Sequence, residues 1–463
     1  MLGTELTKLA ESDRGDIADA FELVNDIDAA LVSGLARPDA ARDAALTRLS
    51  SAFAATPLAD RLAKAAGDIA AGQVTEDSMV ALAAGRSALL GAVHDALLTD
   101  LDTALGRTRT RAAGDGDAAV GVRPGSPSSA ACRAWLTELA ITGLRGIDET
   151  FVSSAGTVVE ELLADPRHRR LGLLLDGWCA ELRRGMPVAA MPEIPRRRWA
   201  DLWTRAMILT ESTYPEPTEA DRVSGRLLPI GVDVFDHETI FGVVVHGAFE
   251  SGGQTRLVRA TVTAPKVEVV HTAAMWGLLS GLPQLTAALA GDRALDLVDM
   301  PITDHGDLLW NDANAQVGAE VDPMATARMC LEQATAASIA PLDRHPAVIA
   351  EPVFVESYRV VKGEPLQFDL GGATVDIERI SAAGPITDKH VAASKACIGI
   401  LRWENGRWAL TPVAVLTPVK RQPTVVHTGQ WAQGPTDPKV AKAVARTDAI
   451  TVLRERAGRL LRT

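Results

Sequence analysis

The spacing of apolar residues changes once along this chain, near residue 223, and that change limits the folds open to it. Before it, apolar side chains recur every three or four residues, as on one face of a helix. After it they alternate, as on one face of a strand. The expectation is an α+β chain. A helical N-terminal half (a helix bundle) leads into an antiparallel β-barrel or sandwich with a helical insertion, and a C-terminal helix follows. The 463 residues suffice for more than one core.

Residues 1–107 read as the N-terminal helical bundle. Ile17, Val24, Ile27 and Leu31 share a helical face. Leu46, Leu49 and Phe53 mark a second helix, Leu58, Leu62 and Ile69 a third, and Leu82, Leu89, Val93, Leu97 and Leu101 a longer one. Thr75, with Ser78 three residues on, makes half a capping box. Residues 108–129 are dense in Gly, Pro and Ser and lack apolar periodicity, so they are predicted to be a flexible linker. Residues 130–213 form a second helical region around Trp135, Leu136, Leu139 and Leu144, then Val158, Val159 and Leu162.

Residues 223–430 read as the β-rich domain. Strands at 227–235, 239–249 and 255–263 are expected, the last two joined by a Gly252-Gly253 turn. A mainly helical insertion covers about 271–340, with short strand-like runs at 295–300 and 308–310. Further strands at 354–361, 366–370, 373–380, 396–403 and 407–416 follow, with Asn405-Gly406 as a second hairpin turn. The expectation is one barrel or sandwich assembled from both blocks, the alternative two separate small β-domains. Within 436–463, Thr436-Asp437-Pro438 starts the terminal helix.

The motifs of common chemistries are missing. There is no GxxxxGK[ST], no complete GxGxxG, no GxSxG and no HExxH. The nine histidines are scattered. No cofactor or metal is expected. The richest polar run is 299–312, with Asp299, Asp304, His305, Asp307, Asn311 and Asp312; it reads as a solvated loop with capping carboxylates or, less simply, as an acid–base or metal cluster. Four dispersed cysteines, Cys132, Cys179, Cys330 and Cys397, fit buried free thiols in a reducing cytoplasm. No uninterrupted apolar run of eighteen residues and no basic-then-apolar start are present, so neither a membrane span nor a secretory signal is expected. The net charge of −12 disfavours bulk attraction to nucleic acid or anionic lipid.

The join between the halves is the stretch 194–209. Pro195 suits a helix start, and Trp199, Trp203, Ala206 and Met207 recur on one face. Arg196, Arg197, Arg198 and Arg205 lie on the others. With Arg167, Arg169, Arg170, Arg183 and Arg184 nearby they form a basic cluster, and Lys439, Lys442, Arg446, Arg454, Arg456, Arg459 and Arg462 form another. Arg beside Trp suits an interface with an acidic protein or stacked bases; the plain alternative is solvated faces with Trp199 and Trp203 in the core. The candidate partner-binding residues are Arg196, Arg197, Arg198, Trp199, Trp203 and Arg205.

The run Arg198-Trp-Ala-Asp-Leu-Trp-Thr-Arg-Ala-Met207 resembles a run in uncharacterised actinobacterial proteins that accompany a MoxR-type AAA+ ATPase, a von Willebrand A protein and a SWIM zinc-finger protein. The helices-then-strands layout is similar as well, whereas the SWIM cysteine and histidine pattern is absent. The resemblance implies a non-enzymatic cytoplasmic adaptor or scaffold in an ATPase-driven assembly, with the AAA+ ATPase or the von Willebrand A protein as partner. The alternatives are a nucleic-acid-binding module using the β-domain and the arginine clusters, and an enzyme of unrecognised type using the 299–312 cluster.

Overall fold

The computed structural model describes Thr7, Leu9 and residues 14–110, 126–211, 221–237, 239–266, 272–371 and 374–446. The first part is helical: α1 (Gly15–Ser33), α2 (Ala40–Ala52), α3 (Ala59–Ala70) and α4 (Glu76–Leu105), then a two-residue β1 (Arg109–Thr110), then α5 (Pro127–Thr142), α6 (Glu149–Ser153), α7 (Gly156–Ala164), α8 (Arg169–Arg184) and α9 (Arg196–Leu209). One apolar cluster holds Leu31, Leu49 and Leu82 together with Leu136, Trp178 and Trp203, so the two helical regions form one body with one core. They meet most closely at Gly34 and Gly143, both at positive φ; a Cβ on Gly143 would collide with the Gly34 backbone nitrogen.

Local chemistry starts these helices. The Thr75 hydroxyl accepts from the Ser78 N–H at 3.2 Å, closing the N-terminus of α4. Arg14 holds the N-cap position of α1 without a side-chain cap, and Asp16 instead lies in its first turn and pairs with Arg14 at 3.4 Å. Among the described residues, α4 is the one helix long and apolar enough to cross a bilayer by length and composition, although its apolar residues are interrupted by charged ones and so gave no membrane span in the sequence. In this fold it is the central helix, with Met79, Ala83, Arg86 and Leu101 buried.

The stretch expected to be a flexible linker is ordered at both ends. Residues Arg109–Thr110 pair with β8 (Ala336–Ala337), and α5 begins at Pro127; residues 111–125 lie outside the described residues. Arg107 is tied to Glu351 at 2.9 Å, and Arg109 to Asp102 at 2.8 Å and to Glu351 at 3.3 Å. These buried pairs hold the end of α4 against the second half of the chain.

Two mixed sheets follow. The first contains β2 (Asp221–Asp236), β3 (Ile240–Ser251), β4 (Gln254–Pro265), β5 (Arg293–Ile302), β6 (Asp307–Leu308) and β7 (Ala315–Glu320), with α10 (Pro283–Ala290) before β5. Its order is β2-β3-β4-β6-β5-β7; β2 also pairs with β5, and β4 runs parallel to β6. The long β2 serves both neighbours by shifting register at Val223/Gly225 and Pro229/Gly231. The 271–340 stretch is therefore not a purely helical insertion: it supplies β5, β6 and β7 as well as α10 and α11 (Pro323–Gln333).

The second sheet contains β9 (Glu351–Glu356), β10 (Arg359–Val361), β11 (Gln367–Asp369), β12 (Thr374–Ile377), β13 (Ala396–Glu404), β14 (Arg407–Val419) and β15 (Gln422–His427), with α12 (Asp388–Ala392) between β12 and β13. The path is β10-β11-β12-β14-β13-β9, and β12 runs parallel to β14. Its two ends, β9 and β10, are consecutive in the chain and are separated by Ser357 at φ 61° and Tyr358. Taken as one interrupted strand, they give the same pairing diagram as the first five strands of the first sheet, and only the last strand differs, β7 pairing with β5 and β15 with β14. The first strand pairs with the second and the fourth, the third runs parallel to the fifth, and a helix separates the third from the fourth.

Each β block thus forms its own sheet, and among the described residues no strand pairing joins the two. They pack face to face instead, Leu228, Ile230 and Ala248 against Phe354, Ile398, Ile400 and Val413, flanked by Ala327 and Leu331 of α11. The parallel pairs make both sheets mixed, where a purely antiparallel arrangement was expected. The two hairpin turns expected from Gly-Gly and Asn-Gly are present: Gly252 and Gly253 have φ 57° and 78°, Asn405 and Gly406 φ 50° and 79°. Last comes α13 (Pro438–Arg446), whose Asp437 carboxylate accepts from the Lys439 and Val440 N–H groups at 2.7 and 3.1 Å. Residues 447–463, with Arg454, Arg456, Arg459 and Arg462, lie outside the described residues.

Candidate functional site: the ion-paired face of helix α9

Pro195 occupies the N-cap position of α9, one residue before the helix proper. Trp199 and Trp203 point into the helical core, 1% and 0% exposed. The Trp199 indole N–H donates to Glu181 at 2.9 Å, and that of Trp203 to the Leu136 carbonyl at 3.0 Å. Neither ring is available to a partner in this conformation. Burying two indoles removes a large apolar area from water, so packing alone accounts for their shared face.

The arginines are engaged within the chain too. Arg197 forms an ion pair with Asp28 at 3.1 Å and donates to Asn25 at 2.6 Å, Arg198 donates to Glu181 at 2.8 Å, and Arg205 donates to Asp343 at 3.0 Å and the Leu342 carbonyl at 3.1 Å. Arg196 is exposed and has no ion pair among the described residues. Of the six candidate partner-binding residues, Arg196 alone is exposed without such an engagement.

Beneath α9 lies a charge network that the sequence did not signal. Arg86 of α4, 1% exposed, donates to Asp28 of α1 at 2.7 Å and to Thr204 of α9 at 3.2 Å, and it lies 2.7 Å from Asp201 of α9. The His345 ring lies 3.4 Å from the other oxygen of Asp201. Burial disfavours the Arg86 charge, but Asp28 and Asp201 outweigh it and hold the guanidinium above its ordinary value. Burial would raise Asp201, yet the bond to His345 and the field of Arg86 keep its carboxyl below the usual range. For Asp28, burial is the largest effect and leaves its carboxyl above that range despite Arg86 and Arg197. Beside the network is a void of about 40 Å³ lined by Arg86, Asp201, Thr204, Arg205 and His345. That volume suits a water molecule and no organic ligand. The arrangement cross-braces α1, α4, α9 and the segment 341–348.

The 299–312 carboxylates do not converge. Asp312 caps α10 by accepting from the Gln284 and Leu285 N–H groups at 2.9 and 3.1 Å, Asp307 pairs with Arg259 at 2.9 Å, and Asp299 pairs with Arg222 at 3.1 Å. Asn311 accepts from the Ala313 N–H at 3.2 Å, and His305 contacts the Ser338 carbonyl at 3.0 Å. Among the described residues no group of three or more His, Cys, Asp or Glu is placed to hold a metal ion. The four cysteines are buried and free; burial pushes the Cys132 thiol up to about 12 and the Cys179 thiol up to about 11, which keeps both unreactive.

Sequence reasoning also missed His246 on β3. It is buried where the two sheets face each other, opposite Arg259 on β4. Burial, with Arg259 acting in the same direction, lowers its pKa to about 3, so the ring is neutral. A separate open groove of about 640 Å³ runs past the β3–β4 hairpin, lined by Arg226, Glu250, Gln254, Thr255, Asp296 and Leu297. No family model matches the chain, and no match is found among curated proteins.

Proposed function

We propose that this chain is a non-enzymatic adaptor that binds a partner protein on its outer surface. The observation that carries the reading is the pairing diagram common to both sheets. It is the diagram of the oligonucleotide/oligosaccharide-binding barrel, a five-stranded binding unit whose outer strand face and loops receive oligonucleotides and oligosaccharides, and here we read that face as a protein-docking surface. We read each sheet as one such small barrel, the first closed through β2–β5 and the second through the break at Ser357. The run at 198–207 makes an AAA+ ATPase the companion to look for first.

The same barrel type also serves nucleic acid, which gives the second reading its support. The exposed charges weigh against it. Arg359 on β10 is paired with Asp369 on β11, and Arg407 on β14 with Asp376 on β12 and Glu378 just after it, so among the described residues these arginines are neutralised within the chain and form no cationic track along β10–β12. On the first barrel, the corresponding face is covered around His246 and Ala248 by the second sheet.

The test is purification of the tagged full chain from its native cells, run in parallel with and without nuclease treatment, with the companion tagged in a reciprocal experiment. The expected result is one stoichiometric protein companion recovered in both directions. Recovery of nucleic acid without protein, with affinity falling steeply in salt, overturns the reading in favour of the second. Recovery of the chain alone overturns both.

A further inference from the structure

Two faces of the molecule carry opposite charge, and each has exposed apolar side chains at its centre. The first spans residues 165–198, with eight arginines against four carboxylates in a chain of net charge −12. On α8 the exposed residues Arg169, Arg170, Leu173, Asp176, Arg183 and Arg184 follow one helical face, with Leu173 60% exposed between the arginines. Arg170 is shared with Asp343 at 3.5 Å, whereas Arg169, Arg183 and Arg196 have no ion pair among the described residues.

The second face draws on residues 292–322, a stretch with eight carboxylates and a single arginine; Asp292 pairs with His427 and Asp312 and Asp322 cap helices, which leaves Asp296, Asp299, Asp304, Asp307 and Glu320. Val298 on β5 is 66% exposed and Leu309, just after β6, is 50% exposed. Both lie along β5: the Leu309 N–H donates to the Pro301 carbonyl at 2.9 Å, three residues after Val298, and the Asn314 amide donates to the Val298 carbonyl at 2.8 Å. Arg222, Arg226 and Arg259 neutralise Asp299, Asp296 and Asp307 in part. Asp304 is exposed and has no ion pair among the described residues. Six large apolar side chains are well exposed among the described residues, and three of them are Leu173, Val298 and Leu309. Half of the exposed large apolar residues thus lie within the two charged faces.

We propose that the occupant of each face is a second copy of this chain, the acidic face of one copy seating on the basic face of the next with Val298 and Leu309 against Leu173. Such an interface is heterologous: the two patches differ, so association continues head to tail into a ring or a filament and does not stop at a symmetric dimer. The charges steer and orient the docking, and the apolar centres hold it. The proposal stands apart from the identity of any other partner.

The experiment is sedimentation velocity with light scattering on the full chain, from low ionic strength to roughly 0.5 M NaCl, where exposed pairs are screened. The expected result is oligomers beyond the dimer that grow with concentration and fall to monomer in salt. Leu173→Glu and Val298→Arg, both at exposed positions, are each expected to be monomeric with unchanged circular dichroism and melting. Mixed one to one, they are expected to form a dimer and nothing larger, because each contributes one intact face. Wild type that is monomeric throughout, association indifferent to salt, or a mixture that stays monomeric would each overturn the proposal. Loss of association with Leu173→Glu but not with Val298→Arg overturns it in favour of a symmetric contact. Folding is checked on each variant first, and a variant that misfolds is replaced by Arg183→Glu or Asp304→Arg, read in the same mixing assay.

Discussion

The two sheets follow one pairing diagram but fill their interiors differently. The first encloses Phe241, Val243, Val245 and Phe249 mainly with material from its own stretch of chain, Trp276 in the turn Thr272–Leu279 and Leu285 and Leu289 of α10, joined by Ala383, by Trp431 and Ala432 after β15, and by Val440 and Val444 of α13. The second has only the five-residue α12 at the equivalent position. Its apolar cluster instead includes Ile17 of α1 and Val93, Leu97, Leu98 and Leu101 of α4. One topology can therefore be walled mainly by a neighbouring segment or mainly by a distant helix, according to which part of the chain supplies its missing side. The second sheet is completed by a helix from the far end of the sequence.

The largest test of that difference is Leu101→Asp, which places a carboxylate in the wall that α4 lends. It should cost more than about 4 kcal/mol. Hydrogen exchange should show β13 and β14 losing protection while β3 and β4 keep theirs; equal loss in both sheets would remove the distinction. Trp276→Ala makes the reciprocal change, deleting the first sheet's own wall and the 2.7 Å bond from its indole to the Ala383 carbonyl. A loss of about 3–5 kcal/mol is expected, read in urea titrations, with β3 and β4 losing protection first.

His246 tests whether the two sheets separate. Its neighbours in charge are Arg259, Glu351 and Arg402. Its folded pKa of about 3 lies below the ordinary histidine value of 6.5, so the unfolded chain binds the extra proton between those values and stability falls as pH drops through that window. Burial is the main cause. A pH series of urea titrations should show His246→Leu losing less stability than wild type as pH falls, the difference growing to the order of 4 kcal/mol toward the acid end of the window. Parallel curves for the two proteins would mean that this interface is not where acid acts. The smallest effect is expected at Ser357, whose φ of 61° is left-handed backbone that glycine enters freely. Ser357→Gly should raise the thermal midpoint slightly, by less than about 1 kcal/mol in stability. A loss would show that the interruption between β9 and β10 is held by more than backbone geometry.

Much of the element order was legible because local rules govern it. Thr75 and Asp437 start helices through their own side chains, and Gly252-Gly253 and Asn405-Gly406 turn hairpins through backbone that those residues adopt easily. Partner choice was not legible. Alternation in 254–265 and 293–302 marks strands but does not say that the first pairs in parallel with Asp307–Leu308 or that the second pairs with Asp221–Leu227. The helical spacing of Trp199 and Trp203 put them on one face without showing what lies against it. Asp28, Arg86, Asp201 and His345 come from four separate parts of the chain, each carrying an ordinary charged residue, so nothing local marked the network.

The wall that α4 lends to the second sheet also sets an order of events on the ribosome. Val93, Leu97, Leu98 and Leu101 are made early, but the strands that cover them end at Val419, about 300 residues later. At synthesis rates of about 5–20 residues per second, this apolar stripe waits roughly 15–60 s for its cover. During that interval the helical body can close its own core around Trp178 and Trp203, since all of that core's residues precede residue 210. The newborn chain should therefore present a folded helical body with one bare stripe, a surface suited to a holding chaperone until β13 and β14 arrive.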